Sequence, residues 1–175
     1  AELRFVGTSA QTYTSDVDAR SWHRFVINNS NGVTPGNTNT ISIAGLNIIN
    51  GNFTAPSSTL YLYDGTSFTY RGNTTGFEVG LTGSFTNNDG TVYWAGDRTY
   101  NDHREMGAIQ DAVTFYNLTI DIFGDQNSSS VGRDLSNITL NDNITIANDL
   151  RIKNGHIDGN NATITIQGDY YMECS

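Results

Sequence analysis

The feature that most constrains the fold is an alternation of apolar and polar side chains that recurs in short segments along the chain. In TFYNLTIDIFG (114–124) and ITLNDNITIANDLRI (138–152), apolar residues occupy every second position, and Gly or Asn interrupts each run. This period of two is typical of a β-strand with one buried face. The nearest approach to a helical pattern is REMGAIQDAV (104–113), and it lacks a continuous apolar stripe. We therefore predict an all-β fold.

The strand-like segments occur twice in the same order. Six blocks match between the two halves: 3–7 with 92–96, 11–13 with 98–100, 25–27 with 118–120, 41–44 with 144–147, 46–51 with 150–155, and 59–62 with 163–166. Loop insertions such as 125–134 account for the drift in spacing. The repetition predicts two units, residues 1–90 and 91–175, stacked as one continuous rod.

Strands separated by Gly or Asn turns about every ten residues favour a parallel β-helix, or β-solenoid, in which each strand lies on its counterpart in the next coil. Recurrent Thr-Ile-Thr and Asn-Ile-Thr text suits such ladders, because stacked positions place like residues together. A tandem pair of β-sandwich domains is the alternative.

Composition and charge exclude several classes of function. The net charge is −9 with only nine Lys plus Arg, which argues against nucleic acid and anionic membrane surfaces as partners. The sequence has no run of 18 apolar residues, so we expect no membrane insertion. The single cysteine, Cys174, cannot form an intrachain disulfide; an unpaired thiol and an intermolecular bridge both stay open.

Two polar segments are candidates for chemistry. Residues 100–105, Tyr-Asn-Asp-His-Arg-Glu, combine Asp102, His103 and Glu105, but catalysis there would need a second acid or a metal from another part of the chain. A loosely similar segment, 15–20, stands in the other half, which favours a solvated loop. Residues 86–90, Thr-Asn-Asn-Asp-Gly, are typical of a turn, and calcium chelation by their side-chain and backbone oxygens is the alternative. We expect no catalytic residue and no resident cofactor, with calcium as the open alternative.

Surface tyrosines are the candidate ligand-binding residues. In Leu60-Tyr61-Leu62-Tyr63 the leucines share one face of a strand, so Tyr61 and Tyr63 point to the other, and Tyr70 is a third candidate. An exposed tyrosine row can stack on sugar rings, pack against a neighbouring protein or cover an adjacent loop. The sequence leaves these three roles open.

Several segments carry a resemblance: LRFVGTSAQTYTS (3–15), RFVINNSNGVT (24–34), FYNLTIDIFG (115–124) and NITIANDLRIKNGHIDGNNATITIQGDY (143–170). They resemble repeats of large secreted and surface proteins of Bacteroidetes exported by the type IX secretion system. The resemblance implies a right-handed parallel β-helix in an extracellular or cell-surface adhesin or filament. The secretion-signal domain typical of that family is absent here, so we expect a segment of a longer chain.

From these observations we expect a structural or adhesive, non-catalytic protein whose partners are neighbouring repeats or subunits joined end to end, with glycans as further candidate partners. A polysaccharide-binding or polysaccharide-processing β-helix is the alternative; processing would require paired carboxylates or a Lys/Arg cluster on one face. An ice-binding solenoid is a third reading, for which the Thr-x-Thr segments are too few.

The alternation also predicts which side chains face the core. Those expected inside are Leu118, Ile120, Ile144, Ile146, Leu150, Ile152, Ile164 and Ile166. Those expected outside are Thr119, Thr145, Arg151 and Thr165.

Overall fold

The alternating segments form eighteen short β-strands and no helix within residues 2–16, 24–64, 76–97, 108–110, 112–123 and 137–173, which are the residues that the computed structural model describes. In chain order the strands are β1 (Glu2–Gly7), β2 (Gln11–Tyr13), β3 (Arg24–Asn29), β4 (Val33–Pro35), β5 (Ile41–Ile43), β6 (Gly45–Thr54), β7 (Thr59–Asp64), β8 (Phe77–Thr86), β9 (Thr91–Asp97), β10 (Ala108–Gln110), β11 (Val113–Phe115), β12 (Asn117–Phe123), β13 (Asn137–Leu140), β14 (Ile144–Ile146), β15 (Leu150–Asn154), β16 (His156–Asp158), β17 (Ile164–Ile166) and β18 (Tyr170–Met172). The prediction of an all-β fold is confirmed.

The strands form three sheets in which all described pairs are parallel. The first sheet has the order β1-β3-β6-β8-β10-β13-β16, with β2 and β4 paired beside β6. The second has the order β5-β7-β9-β12-β15-β18, and the third is β11-β14-β17. Immunoglobulin-type sandwiches are built from antiparallel sheets, so this pairing does not match the tandem-sandwich alternative.

The chain visits the three sheets in a fixed order. From β10 onwards, each strand of the first sheet is followed by one of the third and then one of the second. In the earlier part, β6 and β8 are ten residues long, and their mutual register shifts between Ile48 and Asn50. The later half of β8 lies close to the third sheet, because the ring centroids of Phe85 and Phe115 are 5.9 Å apart.

Residues that face the core are stacked in register from strand to strand. On the second sheet one buried row contains Ile41, Leu60, Val92, Leu118 and Leu150, and the next contains Ile43, Leu62, Trp94, Ile120 and Ile152. Aromatic rings of the other two sheets pack against one another in the interior: Phe77 lies edge-on to Phe85 and Phe115 at centroid distances of 5.0 and 5.4 Å. The result is one core cluster shared by all three sheets.

In the five pairs of matching blocks that the structure describes on both sides, the two blocks lie on different sheets. Segment 46–51 belongs to β6 of the first sheet, whereas its match 150–155 covers β15 of the second. Segment 41–44 covers β5 of the second sheet, and its match 144–147 covers β14 of the third. The shared sequence pattern therefore reflects the alternation of inward and outward side chains in a strand, which all three sheets have in common. The division at residue 90 stays a prediction.

Most of the predicted inward residues are buried. The core includes six of them: Leu118, Ile120, Ile144, Ile146, Leu150 and Ile152. Ile164 and Ile166 are half-buried, because they lie in β17, the edge strand of the third sheet.

Thr119 faces outward as predicted, but the exposure expected for it was wrong. Its side chain is only 8% exposed, although it lies on the outer face of the second sheet. Thr119 pairs with Tyr93 on one side and with Arg151 on the other, and these longer side chains cover the short threonine.

A buried asparagine fixes the bend between the strands β3 and β4. Asn29 is fully buried, and its side-chain amide donates hydrogen bonds to the carbonyl of Ser9 and to Oε1 of Gln11, both at 2.7 Å. Its Oδ1 accepts a hydrogen bond from the backbone N–H of Asn31 at 3.0 Å. Gly51 passes close by with a φ of +83°, where a Cβ would overlap the Asn29 carbonyl oxygen, so only glycine fits there.

The core rows predict a large cost for truncating Ile146. This residue is fully buried between Phe115 and Ile166 in the ladder, and replacement by alanine should lower the free energy of unfolding by about 2–5 kcal/mol. Chemical denaturation measures the change. Thr145→Ala, in the same strand but facing outward, is the matched control and should stay within about 0.5 kcal/mol. Equal effects of the two variants would contradict the register.

The bend at Asn29 predicts a second cost. Asn29→Ala removes the partner of three buried or part-buried polar groups, so the free energy of unfolding should fall by about 1–3 kcal/mol. The neighbouring Asn28 is exposed, and Asn28→Ala should change stability by no more than about 0.5 kcal/mol. A neutral Asn29→Ala in thermal and chemical denaturation would show that the bend does not depend on this side chain.

Candidate functional site

The predicted outward tyrosine on β7 faces a second tyrosine on the neighbouring strand. Leu60 and Leu62 are buried, so Tyr61 points away from the core. Tyr61 pairs in register with Tyr93 of β9, and the two half-buried rings lie 4.8 Å apart with an interplanar angle of 42°. The parallel ladder thus brings together two aromatic rings that are 32 residues apart in sequence.

The other two candidate tyrosines lie beyond what the structure describes. The backbone of Tyr63 pairs with Ala95, but its side chain lies outside the described part. Tyr70 also lies outside the described residues, as do Asp102, His103, Glu105 and Cys174.

An acidic residue accepts the hydrogen bond of the Tyr93 hydroxyl. The hydroxyl of Tyr93 donates a hydrogen bond to Oδ2 of Asp121 on β12. The side-chain amide of Asn154 on β15 donates another to Oδ1 of Asp121 at 2.7 Å. One carboxylate therefore connects three neighbouring strands of the second sheet.

A lysine lies over the ring of Tyr93. The register between β12 and β15 shifts so that Ile120 pairs with Ile152 while Asp121 pairs with Asn154, which leaves Lys153 as an extra residue. The ammonium of Lys153 lies 5.4 Å from the centroid of the Tyr93 ring, a distance typical of a cation–π contact. The bulge thus places both Lys153 and Asn154 on the outer face.

We call Tyr61, Tyr93, Asp121, Lys153 and Asn154 the tyrosine strip. Of these, only Tyr61 was predicted as a site residue. Tyr93 carries a signal that sequence reasoning missed, since TVY (91–93) repeats the Thr-apolar-Tyr order of TLY (59–61). Asp121, Lys153 and Asn154 carry no comparable signal, because their position depends on the strand pairing and the bulge.

The environment of Tyr93 holds its proton. Partial burial raises the pKa of the phenol above its usual range, and the hydrogen bond to Asp121 and the negative charge of that carboxylate raise it further. The hydroxyl therefore stays a hydrogen-bond donor to Asp121 well into the alkaline range.

A second polar group lies at the edge of the same sheet. The guanidinium of Arg151 stacks on the ring of Tyr171 at 4.9 Å and forms an ion pair with Glu173 at 2.6 Å. The hydroxyl of Tyr171 donates to Asp169 at 3.1 Å, and this bond raises the pKa of the phenol. These groups are exposed, and Arg151 compensates the charge of Glu173, whereas Asp169 leaves one negative charge in the cluster.

The segment considered for calcium forms the turn from β8 to β9. Asn88 and Asp89 have φ values of 51° and 56°, and the N–H of Gly90 bonds to the carbonyl of Asn87 at 3.1 Å. Oδ1 of Asn87 accepts from the N–H of Asp89 at 3.1 Å. These contacts explain the Asn-Asn-Asp-Gly text as a tight turn. Calcium binding here stays a hypothesis; in the described ranges no three His, Cys, Asp or Glu side chains form a group that could hold a metal ion.

No helix among the described residues is long and apolar enough to cross a membrane. Comparison with protein-family models, curated proteins and solved structures finds no match to this chain.

The raised pKa of Tyr93 makes a prediction about alkaline pH. An ordinary tyrosine has a pKa of about 10, and Tyr93 should ionise at higher pH, seen as the difference between ultraviolet absorbance titrations of the wild type and of Tyr93→Phe. Asp121→Asn removes the carboxylate charge and should lower the pKa of Tyr93. Identical titrations of wild type and Asp121→Asn would contradict the coupling.

The raised pKa of Tyr93 also predicts how the stability of the fold changes with pH. Because the folded state binds the phenolic proton more tightly than the unfolded state, Tyr93 leaves stability independent of pH below about 10. Above that pH the free energy of unfolding should fall as the unfolded state loses the proton first. Tyr93→Phe should lose less stability than the wild type over this alkaline interval.

Proposed function

We propose that the chain is a segment of a right-handed parallel β-helix that serves as a structural or adhesive, non-catalytic element of an extracellular or cell-surface protein. The three parallel sheets, visited in a fixed order, support the helical architecture. The resemblance of 24–34 and 143–170 to secreted surface repeats supports the handedness and the location.

The observation that carries this proposal is the continuity of the buried rows. The row from Ile41 to Leu150 passes through five strands of the second sheet without a polar interruption. A structure of this kind lengthens by adding coils, each of which contacts only its neighbours. Such growth suits a rod that extends a binding surface away from a cell or builds a fibre.

The edge strands support an end-to-end partner. In β1, Leu3 and Val6 are 45% and 57% exposed, and in β18, Tyr170 and Met172 are 48% and 61% exposed. Tyr170 and Met172 directly continue the buried rows of Leu150 and Ile152. Another coil packed on these strands would cover the rows and pair their open backbone groups.

The tyrosine strip supports binding over cleavage. Cleavage of a glycosidic bond usually needs two carboxyl groups at a fixed separation across the bond. The carboxylate of Asp121 is instead held by Tyr93 and Asn154 on neighbouring strands.

The exposed edges predict self-association of the purified chain. At high micromolar concentration, sedimentation velocity should show species larger than a monomer, because the edge strands pair between copies. Met172→Lys places a charge on the edge and should shift the distribution toward monomer. Leu81→Lys is the matched control, since Leu81 is fully exposed on β8 within the first sheet, and it should leave association unchanged. A wild-type chain that stays monomeric would contradict end-to-end stacking.

A further inference from the structure

The polar side chains of the tyrosine strip have unused hydrogen-bonding capacity. A carboxylate offers about four acceptor positions, and the described donors to Asp121 are the Tyr93 hydroxyl and the Asn154 amide. The three ammonium donors of Lys153 have no hydrogen bond or ion pair to any described residue, and their described neighbour is the Tyr93 ring. Asp121 and Lys153 lie on adjoining strands and are half-buried, so part of each residue is accessible to solvent.

The two aromatic rings of the strip and the ammonium group of Lys153 form one stack across the strands. Because β7 and β15 lie on opposite sides of β9, Tyr93 is held between Tyr61 and Lys153. Tyr61 is therefore the ring at the end of this stack. The face of an aromatic ring carries partial negative charge, which attracts the C–H groups on the apolar face of a sugar.

Charge selects between classes of ligand. Lys153 and Asp121 carry opposite charges, the nearby Arg151 is paired with Glu173, and Asp169 beside Tyr171 adds one more negative charge, so negative charge prevails among these described groups. The whole chain has a net charge of −9, which repels polyanions. A ligand with many hydroxyl groups and no charge fits best, because each hydroxyl can donate to Asp121 or accept from Lys153.

A protein partner fits the strip less well. The energy of a protein interface comes mainly from a few anchoring side chains, often Trp, Tyr or Arg, in fully desolvated pockets. Both tyrosine rings of the strip are already half-buried against neighbours of their own chain, and the large exposed apolar side chains of the described residues lie on β1, β6 and β8 and on β18, which borders β15.

We infer that the tyrosine strip binds a neutral oligosaccharide, with a sugar ring stacked on Tyr61 and sugar hydroxyls hydrogen-bonded to Asp121, Lys153 and Asn154. The strip crosses four strands, from β7 to β15, which at a strand spacing of 4.7–4.9 Å corresponds to about 14 Å. That length exceeds one sugar ring, so the site takes a chain of sugars that runs across the strands. This inference rests on the proposed adhesive function and names its ligand class.

Isothermal titration calorimetry with cellohexaose, mannohexaose and a galactan hexasaccharide tests the inference, with an alginate hexasaccharide as the anionic comparison. At least one neutral hexasaccharide should bind, and alginate should bind more weakly. Asp121→Ala should weaken binding by about tenfold or more, since a hydrogen bond to a charged group contributes that much. Tyr61→Ala removes the ring on which the sugar stacks and should also weaken binding by about tenfold. Lys153→Gln keeps hydrogen-bond donors and should weaken binding less.

Tyr116→Ala is the matched control, because Tyr116 is a half-buried tyrosine at the junction of β11 and β12, outside the strip. Circular dichroism and thermal melting of each variant separate lost binding from lost folding. The inference is overturned if no neutral hexasaccharide binds more tightly than about 1 mM, if alginate is preferred, or if Tyr116→Ala weakens binding as much as Tyr61→Ala.

The outcomes distinguish this inference from the proposed function. Loss of all saccharide binding with intact end-to-end association would remove the ligand and leave the structural role. Shortening of a bound hexasaccharide, detected by chromatography, would overturn the non-catalytic role while leaving the strip as the place of binding.

Discussion

The in-register stacking of parallel strands is the constraint on which the rest of the molecule depends. Each side chain lies directly beside its counterpart in the neighbouring strand, so an inward position has to be apolar in every strand of a sheet. A slip of one residue would turn Leu118 and Ile120 outward and bring Thr119 into the core. The hydrophobic pattern and the ladder therefore enforce each other, and hydrogen-bonded bends such as the one at Asn29 allow the chain to change direction without breaking the register.

The same stacking builds the outer surface. Tyr61 lies beside Tyr93, and Asp121 lies beside Asn154, because the pairing that aligns the core rows also aligns the outward rows. The proposed binding surface thus requires no separate scaffold, and its side chains stand on paired strands rather than on loops. The register shift between β12 and β15, with its bulge at Lys153, brings an ammonium group over the ring of Tyr93.

The sequence was sufficient to predict the strands and the orientation of most side chains, since alternation is a local property that Leu118, Ile146 and Tyr61 each obey. The sequence was not sufficient to predict which strands are neighbours in a sheet, because this pairing depends on the length of chain between successive strands of that sheet. The blocks 46–51 and 150–155 look alike and yet lie on different sheets. Thr119 was placed outside correctly, but its burial results from Tyr93 and Arg151, which only the pairing brings to its sides.

The direction of the strand pairing has a mechanical consequence for the proposed rod. Backbone hydrogen bonds between coils point along the axis on which coils are added, so tension along this axis loads the bonds of one coil interface at a time. The terminal coil would peel away before the next begins to open. From the start of β13 to the start of β16 is about 19 residues, which would extend to about 65 Å when released. A surface anchor made in this way would absorb a sudden pull by lengthening in steps, and it would recoil when the released coil pairs again.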